Sequence, residues 1–310
     1  MTQDKPVLGI LLMLGFCVLA PLGDATAKFL GPRIDVGQLV TVRFAVQLII
    51  LAPFVWISGQ SFRLERRLMQ LVAVRTVLHI LGIGMMFLSL LYLPLADAVA
   101  IAFVMPFIML LLGHYVLDEE VGHRRFLACC VGFVGTLMVI QPSFAEVGWP
   151  ALLPLGVAVD FAFFILVTRQ VAKSIDPIAL QAISGAMATI VLVPLLVLFH
   201  PFEIKGFVVV TPNRMDASLL LALGCLGTIA HLVMTWSLRY APSATLAPMQ
   251  YFEIPMAALV GWLVFRDFPD GLALLGIGIT ISAGLYILFR EQALSQIAAS
   301  KPDQGRPAAE

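Results

Sequence analysis

The sequence predicts an all-α membrane protein of about ten transmembrane helices, arranged as two inverted five-helix repeats. Hydrophobic residues make up 60% of the 310 positions and charged residues 12%, whereas a soluble domain carries about twice that charged fraction. Apolar runs of about 20 residues, long enough to cross a bilayer as a helix, recur along the whole chain. In addition, one stretch of the first half recurs in the second half.

The repeated stretch sets the division into two halves. Ser89, Tyr92, Pro94, Gly113 and Glu119 match Ser237, Tyr240, Pro242, Gly261 and Asp267 at a constant offset of 148 residues, and Pro106 with Pro255 and Gly135 with Gly284 follow after a slip of one residue. Internal repeats in an apolar chain are typical of transporter folds. We expect five spans in residues 7–142 and five in 149–290. Because five is an odd number of spans, the second repeat crosses the membrane in the opposite direction to the first.

The apolar runs define the spans in chain order. They are predicted at 7–29, 37–58, 70–92, 95–117, 125–142, 149–169, 178–200, 217–239, 243–265 and 271–290. The first run lacks a small-residue cleavage site, so we expect a span and not a removed signal peptide. Residues 201–216 are expected to form an aqueous loop. Residues 291–310 are polar and predicted to form a disordered tail.

The distribution of Lys and Arg predicts the orientation. Twelve of them lie in loops or tails on the side of the termini and five on the other side. Because positive residues favour the cytoplasmic side, both termini are predicted to be cytoplasmic, in a multi-pass protein of the cell (inner) membrane.

Several classes of function are disfavoured by composition and motifs. The net charge is zero and no basic stripe is present, which argues against a nucleic-acid partner. The four cysteines lie inside apolar runs without a ligand-type neighbour, so no metal site or disulfide is predicted. We expect no cofactor, and no GxxxxGK[ST] nucleotide motif occurs.

Charged residues near the outer side of the first two spans are the first candidates for the site. Asp24 and Lys28 are four residues apart and therefore share a helix face. Arg43 enters span 2 at a similar depth, which predicts a pair of Asp24 with Arg43 or Lys28. Because charge at membrane depth is costly, such a pair is either a structural clamp or part of a substrate site. Lys28 is alternatively an interfacial residue.

Span 3 adds two basic candidates on one face, Arg75 and His79. Arg75 is close enough to the cytoplasmic side to act as an interfacial anchor. His79 lies one turn deeper and is either a hydrogen-bonded packing residue or a titrating group.

The second half carries polar groups near mid-depth. Asp160 has no polar neighbour in span 6, and Glu253 lies beside Gln250 and Tyr251 in span 9. Prolines on both sides of this segment predict a broken helix, where alternating-access carriers place their sites. Either carboxyl group is a candidate proton carrier or a neutral packing residue. His231 is a weaker candidate, and the aromatic residues Phe161, Phe163, Phe164, Trp236, Tyr251 and Phe252 either line a cavity or pack.

These stretches resemble the ten-span EamA-type carriers of the drug/metabolite transporter superfamily. The resemblance rests on Ser237-Leu-Arg-Tyr-Ala-Pro242, Asp24-Ala-Thr-Ala-Lys28, Arg43 and Pro248-Met-Gln-Tyr-Phe-Glu253. It departs at Arg266-Asp267, where many relatives have Gly-Glu. It implies a cavity built from spans 1–4 and 6–9, with spans 5 and 10 as scaffold or homodimer surface.

The resemblance implies a secondary or facilitative transporter of a small polar or heterocyclic metabolite, working by alternating access. A riboflavin-type solute is the first expectation, with a proton as the simplest coupling ion. The alternatives are an exporter of amino acids, drugs or other metabolites, an intramembrane enzyme, and a membrane subunit that transports nothing. No HExxH or GxSxG motif favours the enzyme.

Overall fold

The fold is all-helical over the residues that the computed structural model describes, which are 6–59, 64–105, 107–108, 123–172, 174–241, 246 and 249–300. The α-helices in this part of the chain are α1 (Pro6–Leu30), α2 (Val36–Ile57), α3 (Arg66–Leu90), α4 (Leu95–Ala102), α5 (His123–Val147), α6 (Leu153–Ala172), α7 (Pro177–Phe199), α8 (Arg214–Tyr240), α9 (Glu253–Phe265) and α10 (Gly271–Ser300). Short 3₁₀ turns at Trp149–Leu152 and His200–Phe202 precede α6 and follow α7.

Seven of the described helices are long and apolar enough to cross a membrane, which confirms a multi-pass membrane protein. α9 and the apolar part of α10 are shorter. The repeat positions Gly113 and Glu119 lie outside the described residues, as do Pro106, Pro242 and Pro248.

Capping residues explain where two helices of the second half begin. The Asp176 carboxylate accepts hydrogen bonds from the backbone N–H groups of Ile178 and Ala179, and Pro177 opens α7. The Asn213 side chain accepts from the N–H of Asp216 at the start of α8. Both residues satisfy helix N–H groups that have no partner inside the helix.

Two spans are interrupted, and sequence chemistry explains the positions. α4 ends at Ala102, and turn residues follow at Phe103. In span 9 the turn lies at Tyr251, immediately before α9. A proline lacks the N–H that would bond to the carbonyl four residues earlier. Residues 102 and 251 stand four positions before prolines in the sequence, so the predicted break in span 9 is confirmed and span 4 is broken too.

The two interruptions meet in the middle of the protein. The rings of Phe103 and Tyr251 lie 5.4 Å apart between centroids. Phe103 and Tyr251 are 148 positions apart, which is the offset of the repeat. The broken segments of the two halves therefore pack against each other at corresponding positions.

Helix packing follows a simple pairing rule. α1 packs mainly on α8, α3 on α6, α2 on α7, α5 on α10, and α4 on α9. We compare the position of each helix within its own half, so that α1 and α6 are both first and α3 and α8 are both third. The first helix of the first half, α1, packs on the third helix of the second half, α8. Conversely, the third helix of the first half, α3, packs on the first helix of the second half, α6.

Glycines allow α5 and α10 to pack closely against each other. A Cβ on Gly135 would lie 2.8 Å from the carbonyl oxygen of Gly276, and a Cβ on Gly276 would lie 2.5 Å from the carbonyl oxygen of Gly135. Neither position has room for a larger residue without a shift of backbone. Small residues at these positions let the backbones of the two helices approach closely.

The end of α9 explains the departure at Arg266. Arg266 has a φ of 62°, in the left-handed region that favours glycine at the end of a helix. The glycine of many relatives is thus the less strained residue here.

The last helix is longer than predicted. α10 continues to Ser300 through residues 291–300, which the sequence analysis assigned to a disordered tail. This segment is rich in Glu, Gln, Ala and Leu, which favour a helix outside the membrane as well. Residues 301–310 lie outside the described residues.

Candidate functional site

A cavity lies at the centre of the helix bundle, beside the two interruptions. Its volume is about 110 Å³. Its walls come from α1, α2, α3, α4, α6, α8 and the segment that leads into α9. Helices α5, α7 and α10 contribute no residue among those described, so the expected contribution of span 7 to the wall is not found.

Most of the cavity wall is apolar, with a small number of polar groups. The polar and ionisable residues of the wall are Asp24, Arg43, His79, Asp160, His231, Gln250 and Glu253. A mainly apolar cavity with a few convergent polar groups is the usual form of a small-molecule site.

One part of the wall carries basic and imidazole groups. The Arg43 side chain is 2% exposed, and its Nη2 lies 2.9 Å from His231 Nδ1 and 3.4 Å from His79 Nε2. The two imidazole rings lie 4.3 Å apart between centroids. α2, α3 and α8 therefore hold one guanidinium and two imidazoles in a single contact cluster.

The carboxyl groups lie on other helices. Asp24 on α1 and Glu253 at the start of α9 are half-buried and both line the cavity. Asp160 on α6 is 7% exposed, and its Oδ2 has no hydrogen-bond partner among the described residues. A Cβ on Gly82 of α3 would lie 2.5 Å from that oxygen, so Gly82 makes the space that Asp160 occupies.

A polar layer closes the end of the cavity that the sequence predicts to be cytoplasmic. Gln47 Nε2 donates to the Gln181 carbonyl oxygen at 2.7 Å, and Gln181 Nε2 donates to the His231 carbonyl oxygen at 3.0 Å and to Thr235 Oγ1 at 2.9 Å. Arg75 belongs to the same layer, through its contacts with α6 and α7. We call this set, with the partners of Arg75, the polar layer.

Arg75 is fully buried and does not line the cavity. Its Nε donates to Thr168 Oγ1 and its Nη1 to Ser184 Oγ, both at 2.9 Å, and its guanidinium lies 4.7 Å from the centre of the Phe164 ring. The prediction that Arg75 is an interfacial anchor is therefore wrong, because hydroxyl groups of α6 and α7 hold its side chain inside the bundle.

The opposite end of the cavity is bridged by Lys28. Its Nζ lies 3.0 Å from Asp267 Oδ2 and donates to the Leu93 carbonyl oxygen at 2.8 Å. This contact, which we call the Lys28 bridge, joins the end of α1 to the turns before α4 and after α9. The predicted pair of Lys28 with Asp24 is wrong, because Asp267 takes that place. The alternative pair of Asp24 with Arg43 is wrong as well, because no nitrogen of Arg43 lies within 4.0 Å of the Asp24 carboxylate.

The cavity brings together six of the nine candidate residues. Asp24, Arg43, His79, Asp160, Gln250 and Glu253 line it, whereas Lys28, Arg75 and Tyr251 do not. Tyr251 instead packs on Phe103 and against Gly284. Of the six aromatic candidates only Phe161 lines the cavity, and Phe163 and Phe252 are exposed on the bundle surface.

Sequence reasoning gave His231 too little weight and missed two glycines of the wall. Gly82 follows His79 by three residues, and Gly227 precedes His231 by four, so each shares a helix face with a histidine. A Cβ on Gly227 would lie 2.5 Å from Arg43 Nε. The sequence signal that could have identified these wall positions is a glycine one helical turn from a histidine inside a span.

Curated relatives with named activities cover most of the chain. It is 23% identical over 285 residues to an S-adenosylmethionine uptake transporter of Rickettsia prowazekii, covering 92% of this chain and 93% of that one. It is 30% identical over 222 residues to a riboflavin transporter of Rhizobium johnstonii, covering 70% and 69%. It is 25% identical over 297 residues to a pseudopaline exporter of Pseudomonas aeruginosa, covering 96% and 99%.

A solved structure matches the fold of this chain, and a family profile matches its sequence. A solved crystal structure aligns over 94% of this chain and 99% of that chain with a TM-score of 0.63 at 14% identity, which shows a shared fold. The profile of the EamA-like transporter family matches residues 7–141 and, separately, residues 148–290. The chain therefore belongs to the EamA-like transporter family.

Proposed function

We propose that this chain is a carrier that moves a small polar metabolite across the cytoplasmic membrane by alternating access at the central cavity. The observation that carries the proposal is the cavity itself, which is lined by ionisable groups and lies between the polar layer and the Lys28 bridge. A carrier needs a central site that opens to one side at a time. The two closures are the elements that would open in turn.

The two halves are proposed to be inverted repeats that rock against each other. Two observations support this arrangement. The family profile matches each half separately, and every main helix contact has a counterpart in which the two halves are exchanged. The meeting of the two interrupted spans at Phe103 and Tyr251 supports a pseudo-twofold axis through the cavity. Both termini are then proposed to be cytoplasmic, from the Lys and Arg distribution.

The substrate is proposed to belong to the chemistry that the relatives handle. Their names specify S-adenosylmethionine, riboflavin and pseudopaline, so a riboflavin-type solute stays a candidate beside other polar metabolites, including amino acids. Asp24, Asp160 and Glu253 are the candidates for proton coupling. A homodimer through α5 and α10 also stays a prediction.

The function is tested by counterflow in proteoliposomes with labelled S-adenosylmethionine and labelled riboflavin. We expect saturable entry of at least one of them, with the solute recovered unchanged. Recovery of a new compound would support the enzyme alternative. Absence of saturable flux for these solutes and for a mixture of amino acids would contradict the proposal.

The role of the cavity is tested with two glycines of α3. A side chain on Gly82 would project onto Asp160 inside the cavity, whereas a Cβ on Gly84 meets nothing within 4 Å. We expect Gly82→Leu to reduce flux by at least about tenfold, because it fills the site, and Gly84→Leu to leave flux near that of the parent protein. Equal flux in two folded variants would show that the solute does not pass through this cavity.

A further inference from the structure

Arg43 presents a buried positive charge whose hydrogen-bonding capacity is only partly used. Its Nη2 contacts both histidines and lies 3.5 Å from the Gly227 carbonyl oxygen, whereas its Nη1 is buried without a partner. Among the described residues no carboxylate lies within ion-pair distance of the guanidinium. A buried arginine in a binding cavity with a vacant N–H edge is suited to an anionic group of a ligand.

The two histidines add donors of the same kind. A guanidinium only donates hydrogen bonds, so His79 Nε2 and His231 Nδ1, which face it, act as acceptors. His231 Nδ1 also lies 3.2 Å from the Gly227 carbonyl oxygen, but a proton on Nδ1 would face the closer guanidinium at 2.9 Å, so we assign the protons of the neutral rings to His79 Nδ1 and His231 Nε2. Both of these nitrogens are buried and lack a hydrogen-bond partner among the described residues. The cluster thus has vacant N–H groups on three different side chains.

The carboxyl groups of the same cavity have the opposite requirement. Among the described residues, Asp24, Asp160 and Glu253 line it together with one arginine, so carboxyl groups outnumber guanidinium groups three to one. Asp160 Oδ2 is buried and has no hydrogen-bond partner in the described part of the chain. A cationic group placed among these carboxyl groups would pair with their charge and supply the missing hydrogen bond.

We propose that the cavity binds a zwitterionic metabolite at two points. The ligand's carboxylate accepts hydrogen bonds from Arg43, His79 and His231, and its ammonium or other cationic centre lies against Asp24 and Glu253. The apolar body lies between these points, along a wall that includes Phe87, Phe103 and Phe161. This inference rests on the proposed function, since it names the substrate class for the same cavity.

Two buried arginines provide a variant and its matched control. Arg43 lines the cavity, whereas Arg75 is equally buried, lacks a carboxylate within ion-pair distance and lies outside the cavity wall. Arg43→Gln removes the proposed carboxylate contact. Arg75→Gln makes the same chemical change in the polar layer. His231→Phe is a second test variant, which keeps an aromatic ring and removes the N–H.

The experiment measures equilibrium binding to the purified full chain with ligand pairs that differ only in a carboxylate. The pairs are S-adenosylmethionine with its decarboxylated form, and tryptophan with tryptamine, beside neutral riboflavin. In at least one pair we expect the carboxylate to tighten binding by about tenfold or more. That ratio should fall to about one in Arg43→Gln, or in His231→Phe if the first variant does not fold, and persist in Arg75→Gln.

Three results would overturn the inference. They are equal affinity within every pair, a ratio that survives in both cavity variants, and absence of binding by every zwitterion. Saturable counterflow of riboflavin together with any of these results would leave the proposed transport function standing. Failure of all solutes in counterflow would instead contradict the transport function itself.

Discussion

The two ends of the cavity are closed by different chemistry. The polar layer consists of fully buried groups on α2, α3, α6, α7 and α8, with hydrogen bonds of 2.7–3.2 Å. The Lys28 bridge has one ion pair and one bond to a backbone oxygen, with side chains 16% and 39% exposed. A partly exposed ion pair contributes about 0–1 kcal/mol, whereas orphaning one buried polar group costs about 1–3 kcal/mol.

This difference indicates which end opens more readily from the structure observed. Opening the polar layer requires several buried groups to lose partners together, on helices that also pack closely. Opening the Lys28 bridge exposes groups that water already reaches. We therefore expect the Lys28 end to open first and the polar layer to set the larger barrier.

The largest effect is expected for Gln181→Leu. This side chain links α7 to Gln47 on α2 and to His231 and Thr235 on α8, so Gln181→Leu removes three hydrogen bonds between helices. Gln47 keeps its bond to the Gln181 backbone carbonyl and Thr235 keeps its bond to the His231 carbonyl, so we expect the free energy of unfolding to fall by about 0.5–1.5 kcal/mol for each lost bond. Thermal or denaturant unfolding of the purified protein measures the change.

The control for this prediction lies on the same helix. Val191 is exposed on α7, so Val191→Ala should leave the stability nearly unchanged. If the two variants were equally stable, the hydrogen bonds of Gln181 would not hold the layer together.

The sequence predicted the helices better than it predicted their contacts. Apolar runs locate spans, and the repeat offset together with prolines explains why the chain turns at Phe103 and at Tyr251. These are local effects, since a missing N–H acts four residues away. Caps such as Asp176 and Asn213 are equally local.

The candidate site was harder to predict because it depends on where the cavity ends. Arg75 and His79 share one face of α3, yet His79 lines the cavity and Arg75 belongs to the polar layer. Their spacing could not distinguish them, because the boundary is made by α6 and α7. Similarly, the partner of Lys28 lies 239 residues away, at Asp267, beyond the reach of any helix-face argument.

An intermediate effect is expected for Ser184→Ala. It removes one of the two side-chain hydrogen bonds of Arg75, which retains Thr168 and the Phe164 ring. A hydrogen bond to a charged group contributes about 1.5–3 kcal/mol, and the remaining contacts should limit the loss to the lower end. The control is Ser218→Ala, an exposed serine that bonds only within α8, which should unfold like the parent protein.

The smallest effect is expected for Lys28→Gln, and its size decides whether the comparison of the two ends holds. The variant should lower the free energy of unfolding by about 1 kcal/mol or less, and added salt should shrink the difference, because the pair is partly exposed. Asp267→Asn should lower the free energy of unfolding by a similar amount. The double variant Lys28→Gln with Asp267→Asn should be almost as stable as either single variant. Lys205→Gln, at an exposed position of the loop before α8, controls for the lost charge.

A double-mutant cycle on Lys28 and Asp267 can be set beside one on Gln47 and Gln181, because each cycle measures one contact at one end of the cavity. We expect the coupling between the two glutamines to be the larger. If the Lys28 cycle gave the greater coupling, the Lys28 bridge would be the stronger closure. The carrier would then open first through the polar layer, despite its greater burial.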